Sequence, residues 1–345
     1  MRVEFFFKAQ SELTSLVNFM NAYPRPAEAV AATLITNLAA APPKLFSKFN
    51  LANKVKNDNL LESAKNIIRV MPGADVCIHY SLKYNSQKSV EQSFSYFNGF
   101  LTKAEEMGVK EVMIISGSGD KKALNTVSCL QMLHKSENRA TNVDIAVAFN
   151  PYFPDPKSRA VEVERLNEKL ATGMVSAIYL QFGSDLSLLR EGLTAIQAAL
   201  ALNGNMSRKS KGKESKLINV LGSVMIPSKQ LLARMKFRPW NGVYLSSTFL
   251  SDVPAAESIV REMLEIYKSF DVEPLVETAF KNDFEAAHIL AILSGETPVE
   301  RKVTAAVDLP TATAKVVDDE YDIGGGMLTI LPSGASLQKK RRSVR

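Results

Sequence analysis

Short apolar runs that end in polar residues, each followed by a stretch with helical spacing, recur along this chain, and that alternation limits the fold more than any single motif. Val3 to Phe7 reads as a strand, and Ser11 can cap a helix with Leu13, Leu16, Val17 and Met20 on one face. Thr33 to Leu38 reads as a second strand, followed by a lysine- and asparagine-rich connection and a helix near Leu60 to Val70 that Pro72-Gly73 ends. Asp75 to Tyr80 is the third strand. Ser89-Val90-Glu91-Gln92 then fits a capping box opening a helix with Phe94, Phe97, Leu101 and Ala104 on one face, and Gly108 is placed to close it. Glu111 to Ile115, Val143 to Phe149, Ala177 to Phe182 and Ile218 to Ile226 continue the strands, with helices around Ala160 to Leu170 and Ser187 to Leu202 between them. Gly242 to Ser246 and Val272 to Thr278 compete for the eighth place, and the second is favoured.

Strands alternating with amphipathic helices imply parallel βαβ units with right-handed crossovers. Eight such strands lead to an α/β fold, a (β/α)8 TIM barrel over residues 1–296. Residues 297–345 differ: β-branched runs, turn residues and Gly324-Gly325-Gly326 read as a C-terminal extension, an arm or small hairpin with a basic tail. In such barrels functional groups gather at the carboxyl ends of the strands. That rule selects Glu4 to Phe7, Thr36, His79, Ser116 to Asp120, Asn150, Gln181, and Glu277 with Thr278 before any motif is considered.

Composition narrows the class. With 46% hydrophobic residues the chain can bury a large core, which excludes disorder as its main state. No apolar run approaches the roughly 20 residues that span a bilayer, so no membrane anchor is expected. The amino terminus reads at once as a strand and shows no signal-peptide pattern, which implies a cytoplasmic protein, or one in an organelle lumen after loss of a targeting piece. Cys77 and Cys129 read as reduced core residues, and His79, His134 and His288 are too widely spaced for a local metal signature. The net charge of +6 is concentrated in the loop 208–216 and the tail 339–345. Each is either a solvated appendage or a contact for RNA or an acidic protein; neither interleaves the aromatic residues that stack on bases.

The segment Ser116-Gly117-Ser118-Gly119-Asp120-Lys121-Lys122 follows the fourth strand. It fits neither a dinucleotide fingerprint nor a Walker A loop. As the loop after a barrel strand, it instead places the Asp120 carboxylate and flexible backbone amides at the catalytic face.

Taken together, Glu4-Phe5-Phe6, Thr36, the third-strand run Cys77 to Ser81, Gly119-Asp120, the fifth-strand run Val147 to Pro151, the helix segment Glu168 to Gly173 and the sixth-strand run Ala177 to Phe182 resemble methylenetetrahydrofolate reductase, in order over about residues 2 to 290. The resemblance implies FAD as cofactor, NAD(P)H as co-substrate and a folate substrate. It implies that Glu4 is the acid that protonates the folate, that Asp120 stands beside flavin and pterin, and that Gln181 contacts the substrate. It places Thr36, His79, Gly119, Asp120 and Lys169 around the flavin, Lys169 as a phosphate partner.

The chain departs from the family pattern at Phe7-Lys8-Ala9, where a proline pair is usual, and at Ser118, where an arginine is usual. It departs again at Asn150, where a tyrosine is usual, and at Ser228-Lys229-Gln230, where an aromatic is usual. Two readings therefore stand side by side. One is a flavin-dependent reductase. The other is an inactive reductase-like barrel serving as a binding or scaffolding subunit of an oligomer or larger assembly. A flavin-free barrel enzyme such as an aldolase is a third, but no lysine ends an assigned strand, which argues against Schiff-base chemistry.

Overall fold

A computed structural model describes residues 2–5, 48–52, 59–117, 123–136, 142–204, 217–277 and 292. Eight strands run in parallel: β1 (Arg2–Phe5), β2 (Lys48–Leu51), β3 (Asp75–Ser81), β4 (Glu111–Ile115), β5 (Asp144–Phe149), β6 (Ala177–Leu180), β7 (Asn219–Met225) and β8 (Glu273–Glu277). Each pairs with its neighbour in sequence, and the sheet curls until β1 also pairs with β8. Helices alternate with the strands from β2 onward: α1 (Leu60–Val70), α2 (Val90–Glu106), α3 (Thr126–Lys135), α4 (Pro156–Ala171) and α5 (Leu186–Asn203). Between β7 and β8 lie α6 (Lys229–Phe237), α7 (Ser247–Ser251) and α8 (Val253–Ser269).

Local sequence explains the helix starts. In α2 to α5, the side chains of Ser89, Asn125, Asp155 and Asp185 accept a backbone N–H of the first turn. Asn59, Ser228, Ser246 and Asp252 do the same for the other described helices. A cap of this kind is worth about 1 kcal/mol, so these residues fix where each helix begins. The expected cap at Ser89 and left-handed Gly108 are both present, with Gly108 at φ 81°.

The second strand differs from expectation. The segment that pairs with β1 and β3 is Lys48–Leu51, inside the lysine-rich connection, whereas Thr33 to Leu38 lies outside the described residues. The physical reason is visible in β2 itself: Phe49 and Leu51 pack outward into the helix-covered core, while Asn50 turns inward to a polar interior. A strand with a buried asparagine at its centre does not read as an apolar run. Gly242 to Ser246 forms no strand and contributes only an isolated bridge between Tyr244 and Gly183, so the eighth place belongs to β8.

Two cores follow from the period of 2 along each strand. Val76, Ile78, Val112, Ile114, Ile145 and Val147 face the helices. Cys77, Met113, Ile115, Ala146, Ala148, Ala177, Tyr179, Leu221 and Leu275 form a separate inner cluster. The inner face also buries Arg2, Glu4, Asn50, His79, Glu111, Ser223 and Glu277, so much of the interior is polar. Beside it, β7 and α8 approach closely: a Cβ on Gly222 would lie 2.2 Å from the Tyr267 ring, whose hydroxyl donates to the Ser223 carbonyl at 3.0 Å. No helix among the described residues is long and apolar enough to cross a membrane.

Candidate functional site

Glu4 is fully buried, in register with Glu277 of β8 on one side and Asn50 of β2 on the other. Neither of its carboxyl oxygens has a hydrogen-bond partner among the described residues. Burial, and then the adjacent Glu277, push its pKa well above the usual carboxyl range. Glu277 differs in one respect: its Oε1 accepts a hydrogen bond from the Ser223 hydroxyl. Burial still raises its pKa, to about 7, with the Ser223 bond acting in the opposite direction. Two such carboxyls side by side and shielded from water do not both ionise. The hydroxyl favours charge on Glu277 and leaves the proton to Glu4.

His79 of β3 completes the group. Its Nε2 lies 3.7 Å from Glu4 Oε2 and 2.9 Å from Asn50 Nδ2. Asn50 in turn accepts from Arg2 Nη1 through Oδ1 at 3.1 Å. The Tyr179 ring stands edge-on to the imidazole at 6.5 Å between centroids.

Toward the amino ends of the strands the charges are paired instead. Arg2 Nη2 donates to Asp75 at 2.9 Å, its Nη1 stands 4.0 Å from Glu111, and the Tyr179 hydroxyl donates to Glu111 at 2.6 Å. Lys48 bridges to both Glu273 oxygens at 2.8 Å. These groups border a cavity of about 460 Å³ that also reaches Asp144 and Asn219. It opens at the end opposite to the one where barrels carry their chemistry. The unpaired acids, rather than this cavity, mark the candidate site.

The remaining expected site residues are placed as follows. Gln181 is buried just beyond β6, at the carboxyl end. Asn150 is buried too, but its side chain is used in the fold: Nδ2 donates to the Gly242 carbonyl at 2.9 Å and Oδ1 accepts from the Tyr152 N–H at 3.0 Å. Ser116 is tied to the start of α3 through Thr126, with 2.7 Å between the hydroxyls. Thr36, Gly119 and Asp120 lie outside the described residues, and the end of β2 is Leu51 rather than Thr36.

Lys169 is neither a solvated helix residue nor a cation presented to a ligand. Its Nζ is buried, donates to the Ala148 carbonyl at 2.9 Å and stands 3.8 Å from Glu162. Burial pushes the lysine down and the glutamate up, and the attraction between them works against both shifts. The ammonium is held under the sheet end by α4, which corrects its expected place on a flavin phosphate.

Sequence reasoning found Glu4, His79, Gln181 and Glu277 by the strand-end rule, but missed Arg2, Asn50 and Ser223. All three sit on the inner face. The available signal was the period of 2, which carries Arg2 with Glu4 and Ser223 with the inward Leu221 once the strand limits are known.

No protein-family model and no curated protein sequence matches the chain. Among solved structures it is similar to active domain 2 of a thermostable chitinase from Pyrococcus furiosus, at 9% identity and TM-score 0.42, covering 80% of this chain and 82% of that one. It is also similar to 2,3-dimethylmalate lyase, a PEP mutase/isocitrate lyase superfamily member, at 12% identity and TM-score 0.36 over 76% of this chain and 87% of that one. A third is the spore cortex-lytic enzyme SleL of Bacillus megaterium, at 10% identity and TM-score 0.37 over 80% and 68%. At such identities and scores neither substrate nor chemistry carries over to this chain.

Proposed function

We propose that the protein is an oxidoreductase resembling methylenetetrahydrofolate reductase, built on a complete (β/α)8 barrel with residues 297–345 as a C-terminal extension, in which Glu4 protonates a folate. The observation that carries this reading is the Glu4 carboxyl: buried near the end of β1, without a hydrogen-bond partner among the described residues, and beside a second acid. A carboxylic acid kept neutral near pH 7 is the form in which a carboxyl group can donate a proton. Its orphaned oxygens fit a reacting ligand. FAD, when bound, would relay hydride from NAD(P)H to 5,10-methylenetetrahydrofolate. Gln181 would orient the pterin through its amide, and Glu277, its charge favoured by the Ser223 hydroxyl, would keep the proton on Glu4 until the ligand takes it. The phosphate end of the flavin would draw on groups other than Lys169.

The first test is visible absorbance of the purified protein with and without added FAD, followed for the flavin band at about 450 nm. Glu4→Gln should then abolish folate reduction, by a factor on the order of 100 or more, while flavin stays bound. Unchanged turnover in that variant removes the assignment of Glu4.

A second reading draws on the inward Lys169: a reductase-like barrel without turnover, acting as a binding or scaffolding subunit of an assembly. A colourless protein that cannot be reconstituted supports it. In that case the segments 208–216 and 339–345, both outside the described residues, would supply electrostatic contacts to RNA or an acidic protein, and deleting 339–345 should weaken a salt-sensitive association.

A further inference from the structure

The chain Arg2–Asn50–His79–Glu4 has a direction built into it. A guanidinium has only N–H donors, so the Asn50 atom bonded to Arg2 Nη1 is the oxygen. The other end of that amide is then the NH2 group, which also only donates. Asn50 Nδ2 lies 2.9 Å from His79 Nε2, so that nitrogen must present its lone pair. An imidazolium carries a hydrogen on both ring nitrogens, and an Nε2–H would meet the Asn50 N–H head-on. His79 is therefore neutral, with its proton on Nδ1, and the 3.7 Å contact from Nε2 to Glu4 is not an ion pair.

We propose that Arg2 and Asn50 are positioning residues which, by fixing the tautomer of His79, deny Glu4 a cation and keep it the proton-bearing member of the buried carboxyl pair. Its catalytic meaning rests on the reductase reading above; the protonation pattern does not. Every charged or titratable group that faces Glu4 among the described residues is consistent with this. On β8 it meets Glu277, a like acid. On β3 it meets His79, held neutral, with the thiol of Cys77 deeper on the same inner face. On its own strand Arg2 turns away toward Asp75 and Glu111, and Glu111 is in turn bound by Tyr179 of β6. From β7 only the uncharged Ser223 approaches, and it bonds Glu277 rather than Glu4. A single reversal of the Asn50 amide would invert the pattern: its oxygen would call for a hydrogen on Nε2, the ring would accept a second proton, and Glu4 would ionise against it.

The test uses the full chain without substrate or flavin. Nitrogen-15 spectra of histidine-labelled protein, assigned by loss of the His79 signals in His79→Gln, should show Nε2 as an unprotonated nitrogen and Nδ1 as protonated from pH 5 to pH 8. Infrared difference spectra of wild type against each variant at pH 8, above the titration of Glu277, should show protonated-carboxyl intensity that is lost in Glu4→Gln and kept in Glu277→Gln. Asn50→Asp, which offers an acceptor where the amide donates, should protonate Nε2 and remove the Glu4 band; Arg2→Lys, still a pure donor, should preserve both. In an active protein, Asn50→Asp should lower turnover at neutral pH on the order of 100-fold, with recovery at lower pH. A wild-type His79 protonated on Nε2 at pH 7, or no loss of protonated-carboxyl intensity at pH 8 in Glu4→Gln, overturns the proposal, and both readings are made on wild-type protein or a variant that removes no charge partner. An inactive, colourless protein with the expected spectra would overturn only the reductase reading.

Discussion

Glu273 and Glu277 stand on the same five-residue strand, face the same way, and have opposite electrostatics. At the start of β8, burial tends to raise Glu273, but the hydrogen bond and charge of Lys48 outweigh it and hold its carboxyl below the usual range. At the end of β8, Glu277 has a serine in place of a lysine, and burial lifts it to about 7. The difference extends around the barrel. Toward the amino ends, Arg2 pairs with Asp75 and Glu111, and Lys48 pairs with Glu273. Toward the carboxyl ends, Glu4 and Glu277 stand side by side, with no lysine or arginine paired to either among the described residues. Buried charge that is paired holds strands together; buried acid that is unpaired costs stability and persists where a proton is put to use.

The largest break in this contrast comes from removing the cation at the amino end. Arg2→Met leaves Asp75 and the buried Glu111 without their guanidinium and frees Asn50, and should cost about 3–5 kcal/mol in denaturant unfolding. A loss under about 1 kcal/mol would show that the amino-end network is not a structural clamp.

The pH dependence of stability sharpens the comparison at the other end. Between the ordinary glutamate value of 4.5 and about 7, folded Glu277 keeps a proton that the unfolded chain has released. Unfolding free energy should therefore fall as pH rises through that window, by about 1.4 kcal/mol per pH unit for each such group. Glu277→Gln should remove one group's share of that slope, leaving the share of Glu4, as read by urea unfolding at pH 5, 6 and 7.

Glu4→Gln should leave stability at pH 5 within about 1 kcal/mol of wild type, because no bonded partner is lost, and should exceed wild type at pH 7, where the folded acid holds a proton that the unfolded chain has released. The smallest effect is expected at the rim, where Lys48 is more than one-third exposed. Glu273→Gln should cost about 0.5–1 kcal/mol at neutral pH. Because the Glu273 pKa is lowered, that contribution is present above the ordinary glutamate value and disappears on acidification, the reverse of the Glu277 window.

Much of the frame was legible because it is local. All eight described helices open at capping residues, and the outward strand positions are apolar runs, so β3 to β8 fall where the sequence places them, within a residue or two. β2 was not legible, since Asn50 interrupts its apolar pattern in order to face a polar interior. Glu4 and Glu277 were selected by their place at strand ends, but their pairing was not, as 273 residues separate them in sequence and only closure of the sheet brings β8 beside β1.

The sequence by itself determined the alternation of strand and helix, the points at which helices start, and the carboxyl groups available at the ends of the strands, because these follow from periodicity and from hydrogen bonds between near neighbours. Tertiary structure alone decided which of those groups has a partner. Lys169 lies inward against Glu162, Arg2 reaches Asn50 and Glu111 across three strands, and Glu4 stands beside another acid and the His79 ring. Partnership sets protonation in a buried site, and it depends on register and curvature that no local stretch of the chain encodes.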